Sequence, residues 1–263
     1  MNFIEFTGMV GAGKSTVAVA LATHLQQHQL NPLTPADASR RCLERSRCGQ
    51  VIQALVPVAW QKQFLNRWLR HLTLPVYQFL FALAHPQLWW LVYQSQLKRQ
   101  LPWGHRRLIL QRFATVAGHY QFLCSRLKAD EVVIFEEGLV HRAINLFAWE
   151  EEALKPEVLW AYYRQLPVMG LLIVVEAPDV VCQVRAQNRG LPARLVHQDA
   201  LVIERFTRHS RHIIQLALAA AAGQRPVIQL DNSQALAESM ALLHESLARH
   251  GIGRKPPVGV SGC

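Results

Sequence analysis

Charged residues are scarce in this chain. They make up 17% of its 263 residues, few for a soluble protein, and between Arg70 and Lys98 there is no Asp, Glu, Lys or Arg at all. That stretch is long enough to cross a bilayer on length alone. Pro75, Pro86, His71, His85 and several glutamines speak against a span, and the favoured reading is a pair of buried helices broken near His85-Pro86. The five cysteines form no C-x-x-C pair and no His/Cys spacing of a zinc module. Cys42 and Cys48 lie close enough to pair, but scattered reduced thiols are the simpler reading. No basic, apolar leader precedes the first strand, so a cytoplasmic location is expected, with peripheral membrane contact left open. No Asn-Lys-x-Asp motif is present, which disfavours a GTPase, and no internal repeat suggests a solenoid. The net charge of +10 attracts anions, yet no recognised nucleic-acid module accompanies it.

Against these absences stands one specific pattern. Gly8-Met9-Val10-Gly11-Ala12-Gly13-Lys14-Ser15 fits G-x-x-x-x-G-K-[ST] at every fixed position. Phe3 to Thr7 ahead of it are rich in strand formers, and Thr16 to Gln27 behind it are Ala- and Leu-rich. Strand, glycine turn and helix together define a phosphate-binding loop. Its N–H groups and the positive helix end would face phosphates. Lys14 would reach the β- and γ-phosphate oxygens of ATP, and the Ser15 hydroxyl would hold Mg²⁺. The whole loop, Gly8 through Thr16, is therefore the expected nucleotide site.

Half the residues are hydrophobic, enough for one large domain over 1–263. After the first helix, Asn31 to Pro35 reads as an edge strand or a loop. The basic run Arg40, Arg41, Arg45 and Arg47 reads either as a phosphate-facing group or as a solvated helix face. Residues 51–127 read as a helical, apolar insertion. A contact with a membrane surface or a protein through 71–97 is the alternative to burial, because Trp89, Trp90 and Tyr93 favour interfaces. Alternating strands and helices resume at Asp130, with strands over 131–135, 170–175 and 226–230 and helices over 152–165, from Asp179, over 200–222 and up to Arg249. The continuous run Gly170 to Val175 predicts a central parallel strand covered on both faces. Residues 251–263 read as a loose tail. The expected fold class is α/β, a P-loop NTPase with a doubly wound, mainly parallel sheet and a helical insertion.

Two further groups suit phosphoryl transfer. Glu136 follows an apolar strand, where such enzymes place an acid that orients Mg²⁺ or accepts a proton, whereas Glu137 should point elsewhere. Arg185 and Arg189, four apart on one helix face, with Arg194 beyond the breakers Gly190 and Pro192, fit a closing lid that neutralises a transferring phosphoryl group.

These motifs, together with Val227-Ile-Gln-Leu-Asp231-Asn-Ser-Gln234, resemble thymidylate kinase and its relatives over roughly residues 1–30 and 130–250. The resemblance implies transfer of the γ-phosphate of ATP to a small acceptor, a nucleotide or nucleoside. It implies catalytic roles for Lys14, Glu136, Arg185 and Arg189, ATP contacts from the loop and Arg194, and Mg²⁺ ligation by Ser15 and Glu136. The chain departs from the family in carrying Glu136-Glu137 where thymidylate kinases carry Asp-Arg, and in having no Arg-Glu-Pro near Asp37 to Arg40. The alternative function is a nucleotide-dependent ATPase or switch that docks through the apolar middle. A homodimer stays open.

Overall fold

The computed structural model describes residues 2–97, 102–149, 154–168, 170–190, 195–196, 198–233 and 236–249. The expected helix start at Glu152, the lid residue Arg194, Gln234 and the tail lie outside them. Strands β1 (Phe3–Gly8), β2 (Asn31–Leu33), β3 (Glu131–Phe135), β4 (Leu171–Glu176) and β5 (Val227–Asp231) form one sheet in the order β2-β3-β1-β4-β5. Every pairing is parallel.

Its two faces bury two separate hydrophobic clusters. Ile4 and Phe6 of β1, with Leu171, Ile173 and Val175 of β4, pack with helices α1 (Lys14–Gln27) and α12 (Leu236–Arg249). Leu172 and Val174 face the larger cluster on the other side. All five residues from Leu171 to Val175 are fully buried, so the unbroken hydrophobicity of β4 has its cause in a strand covered twice. This is a doubly wound α/β sheet with a phosphate loop after its first strand. Three-residue β2 lies at the edge, where Pro32 costs no ladder bond.

Between β2 and β3 run α2 (Pro35–Glu44), α3 (Arg47–Leu55), α4 (Val58–Trp68), a π-helical turn (Leu69–Thr73), α5 (Leu74–Ala84), α6 (Pro86–Leu97) and α7 (Trp103–Leu123). Thr34 caps α2 by accepting from the Asp37 N–H. The apolar middle does break at His85, into α5 and α6. It is buried on one side only: Phe81 and Leu88 are inside, whereas Phe79, Leu83 and Trp90 are exposed. Among the described residues, no helix is long and apolar enough to cross a membrane. Cys42, Cys48, Cys124 and Cys182 are free thiols.

Helix α8 (Leu139–Phe147) is absent from the sequence reading, and it fills the larger cluster with Leu139, Val140, Ala143, Ile144 and Phe147. Helices α9 (Pro156–Gln165), α10 (Asp179–Arg189) and α11 (Ala200–Ala221) complete the chain.

Candidate active site

The loop after β1 turns sharply before α1 starts at Lys14. Gly11 and Gly13 both have positive φ, 84° and 92°. A Cβ at Gly11 would collide with the Cys182 carbonyl, and one at Gly13 with the Asn232 amide. Both positions therefore need glycine for conformation and for space. Asn232, at the end of β5, is buried and donates its Nδ2 to the Ala12 carbonyl at 2.7 Å. Its backbone carbonyl accepts from Arg185 Nη1 at 3.0 Å. This one residue thus fastens the last strand to the loop through its side chain and to α10 through its backbone.

Lys14 Nζ donates to the Gly8 and Met9 carbonyls, at 2.9 and 3.0 Å. Burial lowers its pKa from the ordinary 10.5 to about 8; the negative charges of Glu137 and, less strongly, Glu136 oppose that shift.

A cavity of about 820 Å³ opens over the loop. Gly8, Val10, Gly11, Gly13, Lys14, Ser15 and Thr16 line it, with Glu136, Glu137, Arg185 and Arg189. Two loop residues turn away: Ala12 is buried in the core beneath the loop, and Met9 lines a second, smaller cavity beside α10 and α11. Glu137 departs from the expectation that it would point elsewhere. The strand ends at Phe135, so strict alternation stops there, and both glutamates reach the cavity. Glu137 is held by Arg142 Nη1 at 3.0 Å, with His141 Nε2 at 3.8 Å. Among the described residues no hydrogen bond or ion pair engages the Glu136 carboxylate.

Several residues that build the site carry no local signal in the sequence. Glu5, in the middle of β1, is completely buried. Its Oε1 accepts from the Val140 N–H at 2.5 Å, at the start of α8, and Arg225 Nη1 lies 3.6 Å from its Oε2. Burial raises the Glu5 pKa, with Arg225 opposing. Gly138 packs so closely on this carboxyl that a Cβ there would overlap it. Thr7 Oγ1 lies 3.3 Å from Nδ1 of the buried His141. The loop that carries Glu136 and Glu137 is thereby pinned to the strand that carries the phosphate loop.

The far wall comes from α7, α8 and α11, through His105, Leu108, Ile109 and Arg112, Ile144 and Asn145, and Val202 and Arg205. The helical middle of the chain therefore supplies part of the site, which its composition did not reveal. In all, Lys14, Arg112, Arg185, Arg189 and Arg205 face the cavity with two carboxylates, a balance that favours anionic ligands. The basic run from Arg40 to Arg47 does not line this cavity. Arg40 pairs with Asp37 and Glu44, at 3.0 and 3.4 Å, and Arg45 with Glu131 at 3.0 Å.

No family model matches the chain, and no curated protein matches it. Among solved structures it is similar to deoxyadenosine kinase from M. mycoides with bound dCTP. The TM-score is 0.43 with 11% identity over 94% of this chain and 99% of that one. A second structure of that kinase, with products dCMP and a flexible dCDP bound, gives 0.42, 12%, 94% and 99%. Overlap this low adds nothing to the fold, which rests on the strand order and the loop above.

Proposed function

We propose that the chain is an ATP-dependent phosphotransferase that moves the γ-phosphate to a small acceptor, a nucleotide or nucleoside of the kind that thymidylate kinases and their relatives use. One observation carries this reading: a single cavity joins the phosphate loop, a strand-tip carboxylate and the α10 arginines, with room beyond them for a second molecule.

The loop amides and Lys14 bind the phosphates of ATP and hold its γ-phosphate toward the cavity. Arg185, fixed by the Asn232 backbone carbonyl, and Arg189 line the same cavity and would neutralise the negative charge that spreads during transfer. The Ser15 hydroxyl and the unengaged Glu136 carboxylate are hard oxygen donors of the type Mg²⁺ takes, so the residues present fit that ion. Mg²⁺ would neutralise phosphate charge when bound. Glu137, tied to Arg142, sets the field at Lys14. The acceptor lies against α7, α8 and α11.

The test is product analysis by mass spectrometry after mixing the protein with Mg²⁺, ATP and a panel of nucleosides, nucleoside monophosphates including dTMP, and phosphosugars. A phosphorylated acceptor that disappears with Lys14→Ala supports the proposal and names the acceptor class. ADP formed at the same rate with and without every acceptor would favour the ATPase or switch instead.

A further inference from the structure

From Arg45 to Ala129 the chain carries twelve lysines and arginines and not one aspartate or glutamate. This acid-free segment is also where the fold leaves its largest side chains uncovered. Helix α5 buries Leu74 and Phe81, and its Gln78 lies against Gly118 of α7. The opposite face repeats Val76, Phe79, Leu80 and Leu83 at i, i+3, i+4 and i+7, and these are 56%, 63%, 39% and 61% exposed. A helix on the surface of a soluble domain places polar residues on that face. Here the arrangement is inverted: the polar Tyr77 and Gln78 are turned inward, and the outer stripe is wholly apolar.

Neighbouring helices continue the pattern. Trp90 and Tyr93 of α6 are exposed, with stacked rings 6.1 Å apart. Trp60 and Phe64 of α4 are exposed as well. Arg67 and Arg70, both exposed, stand at the junction of α4 and α5. An apolar stripe with aromatic residues and only positive charge beside it matches a surface that lies in the headgroup layer of an anionic bilayer. A second copy of the chain would set positive charge against positive charge, which disfavours self-association through this face.

We infer that the outer face of α4, α5 and α6 docks peripherally on an anionic lipid bilayer. The apolar stripe enters the headgroup boundary, and the arginines sit at the lipid phosphates. The docking is independent of phosphoryl transfer and needs no nucleotide.

The test uses the full-length protein without ATP, spun with vesicles of phosphatidylcholine alone or of phosphatidylcholine mixed with phosphatidylglycerol. The protein should pellet with the mixed vesicles, remain in solution with the neutral ones, and leave the pellet as salt is raised. The double variant Phe79→Glu, Leu83→Glu should stay in solution with both. Should that variant fail to fold, Arg67→Gln with Arg70→Gln serves in its place, and it should weaken partitioning onto the mixed vesicles about 30-fold. Overturning results are a parent protein that stays in solution with both vesicles, or variants that pellet like the parent. A dimer by light scattering that Phe79→Glu, Leu83→Glu splits, with no vesicle binding, would assign the face to a second copy instead.

Discussion

Lys14 gives the sharpest quantitative test of the proposed site. Its ammonium is held by two loop carbonyls and is desolvated enough to lose its proton at about 8 rather than 10.5. Phosphate oxygens beside it favour the charged form, so ATP binding should draw a proton onto the protein near that pH. If only charged Lys14 binds phosphate well, about nine tenths of the sites are competent at pH 7 and about one tenth at pH 9, which lowers ATP affinity about tenfold, or ~1.4 kcal/mol. Calorimetric titration of ATP from pH 7 to 9.5, in buffers of different ionisation enthalpy, reads both the affinity and the proton uptake. Lys14→Arg keeps its charge throughout and should show a flat profile. A flat profile in the parent, with no proton uptake near pH 8, would refute the reasoning. The sign also appears in the free protein. Between 8 and 10.5 the unfolded chain keeps the Lys14 proton that the folded chain has lost, so the contribution of this group to stability rises with pH there.

Other outcomes follow from the same geometry. Glu136→Gln should slow transfer about 10²- to 10³-fold while ATP binding by calorimetry is unchanged; a variant as fast as the parent would remove Glu136 from the chemistry. Gly11→Ala, strained by its φ of 84° and by the Cys182 carbonyl, should cost about 1–3 kcal/mol in urea unfolding. Asn232→Ala should cost about 1–3 kcal/mol as well, by leaving the buried Ala12 carbonyl without its donor, and should raise the KM for ATP by loosening the phosphate loop at Ala12. The pKa of Glu5 is raised from its ordinary 4.5, so the stability it contributes is full below that value and declines as pH rises through the raised one. Arg225→Met removes the charge that opposes the rise and pushes the Glu5 pKa further up, so the decline should deepen, and unfolding curves of the double variant with Glu5→Gln should no longer show it.

What the sequence revealed was local. The phosphate loop announces itself because its chemistry occupies eight consecutive residues. Strand β4 does so because burial on both faces leaves no polar position from Leu171 to Val175. Helix α8 escaped because its nine residues follow Glu-Glu-Gly directly and show no start signal beyond the glycine. The supports of the site were invisible for a different reason. Val140 caps against Glu5 across 135 positions, and Asn232 reaches Ala12 across 220. No periodicity connects such pairs; only the strand order β3-β1-β4-β5 brings them together. Two arginines of the basic run show the converse: the place of the run after the second strand suited a ligand as well as a solvated face, but Arg40 is engaged by Asp37 and Glu44 and Arg45 by Glu131.

Helix α7 is divided along its length. From Phe113 to Leu123 it is locked into the core, with Phe113, Ala117 and Leu123 almost wholly enclosed. From His105 to Arg112 it borders the cavity, with Ile109 and Leu110 also packed against the core. On the proposed function, substitutions at the exposed His105 and Leu108 should change which acceptor fits and leave folding intact, whereas substitutions from Phe113 onward should disturb folding. If the proposed acceptor lies there, a lineage that carries this helix can change its diet one residue at a time, because the end that would choose and the end that anchors are largely different stretches of one rod.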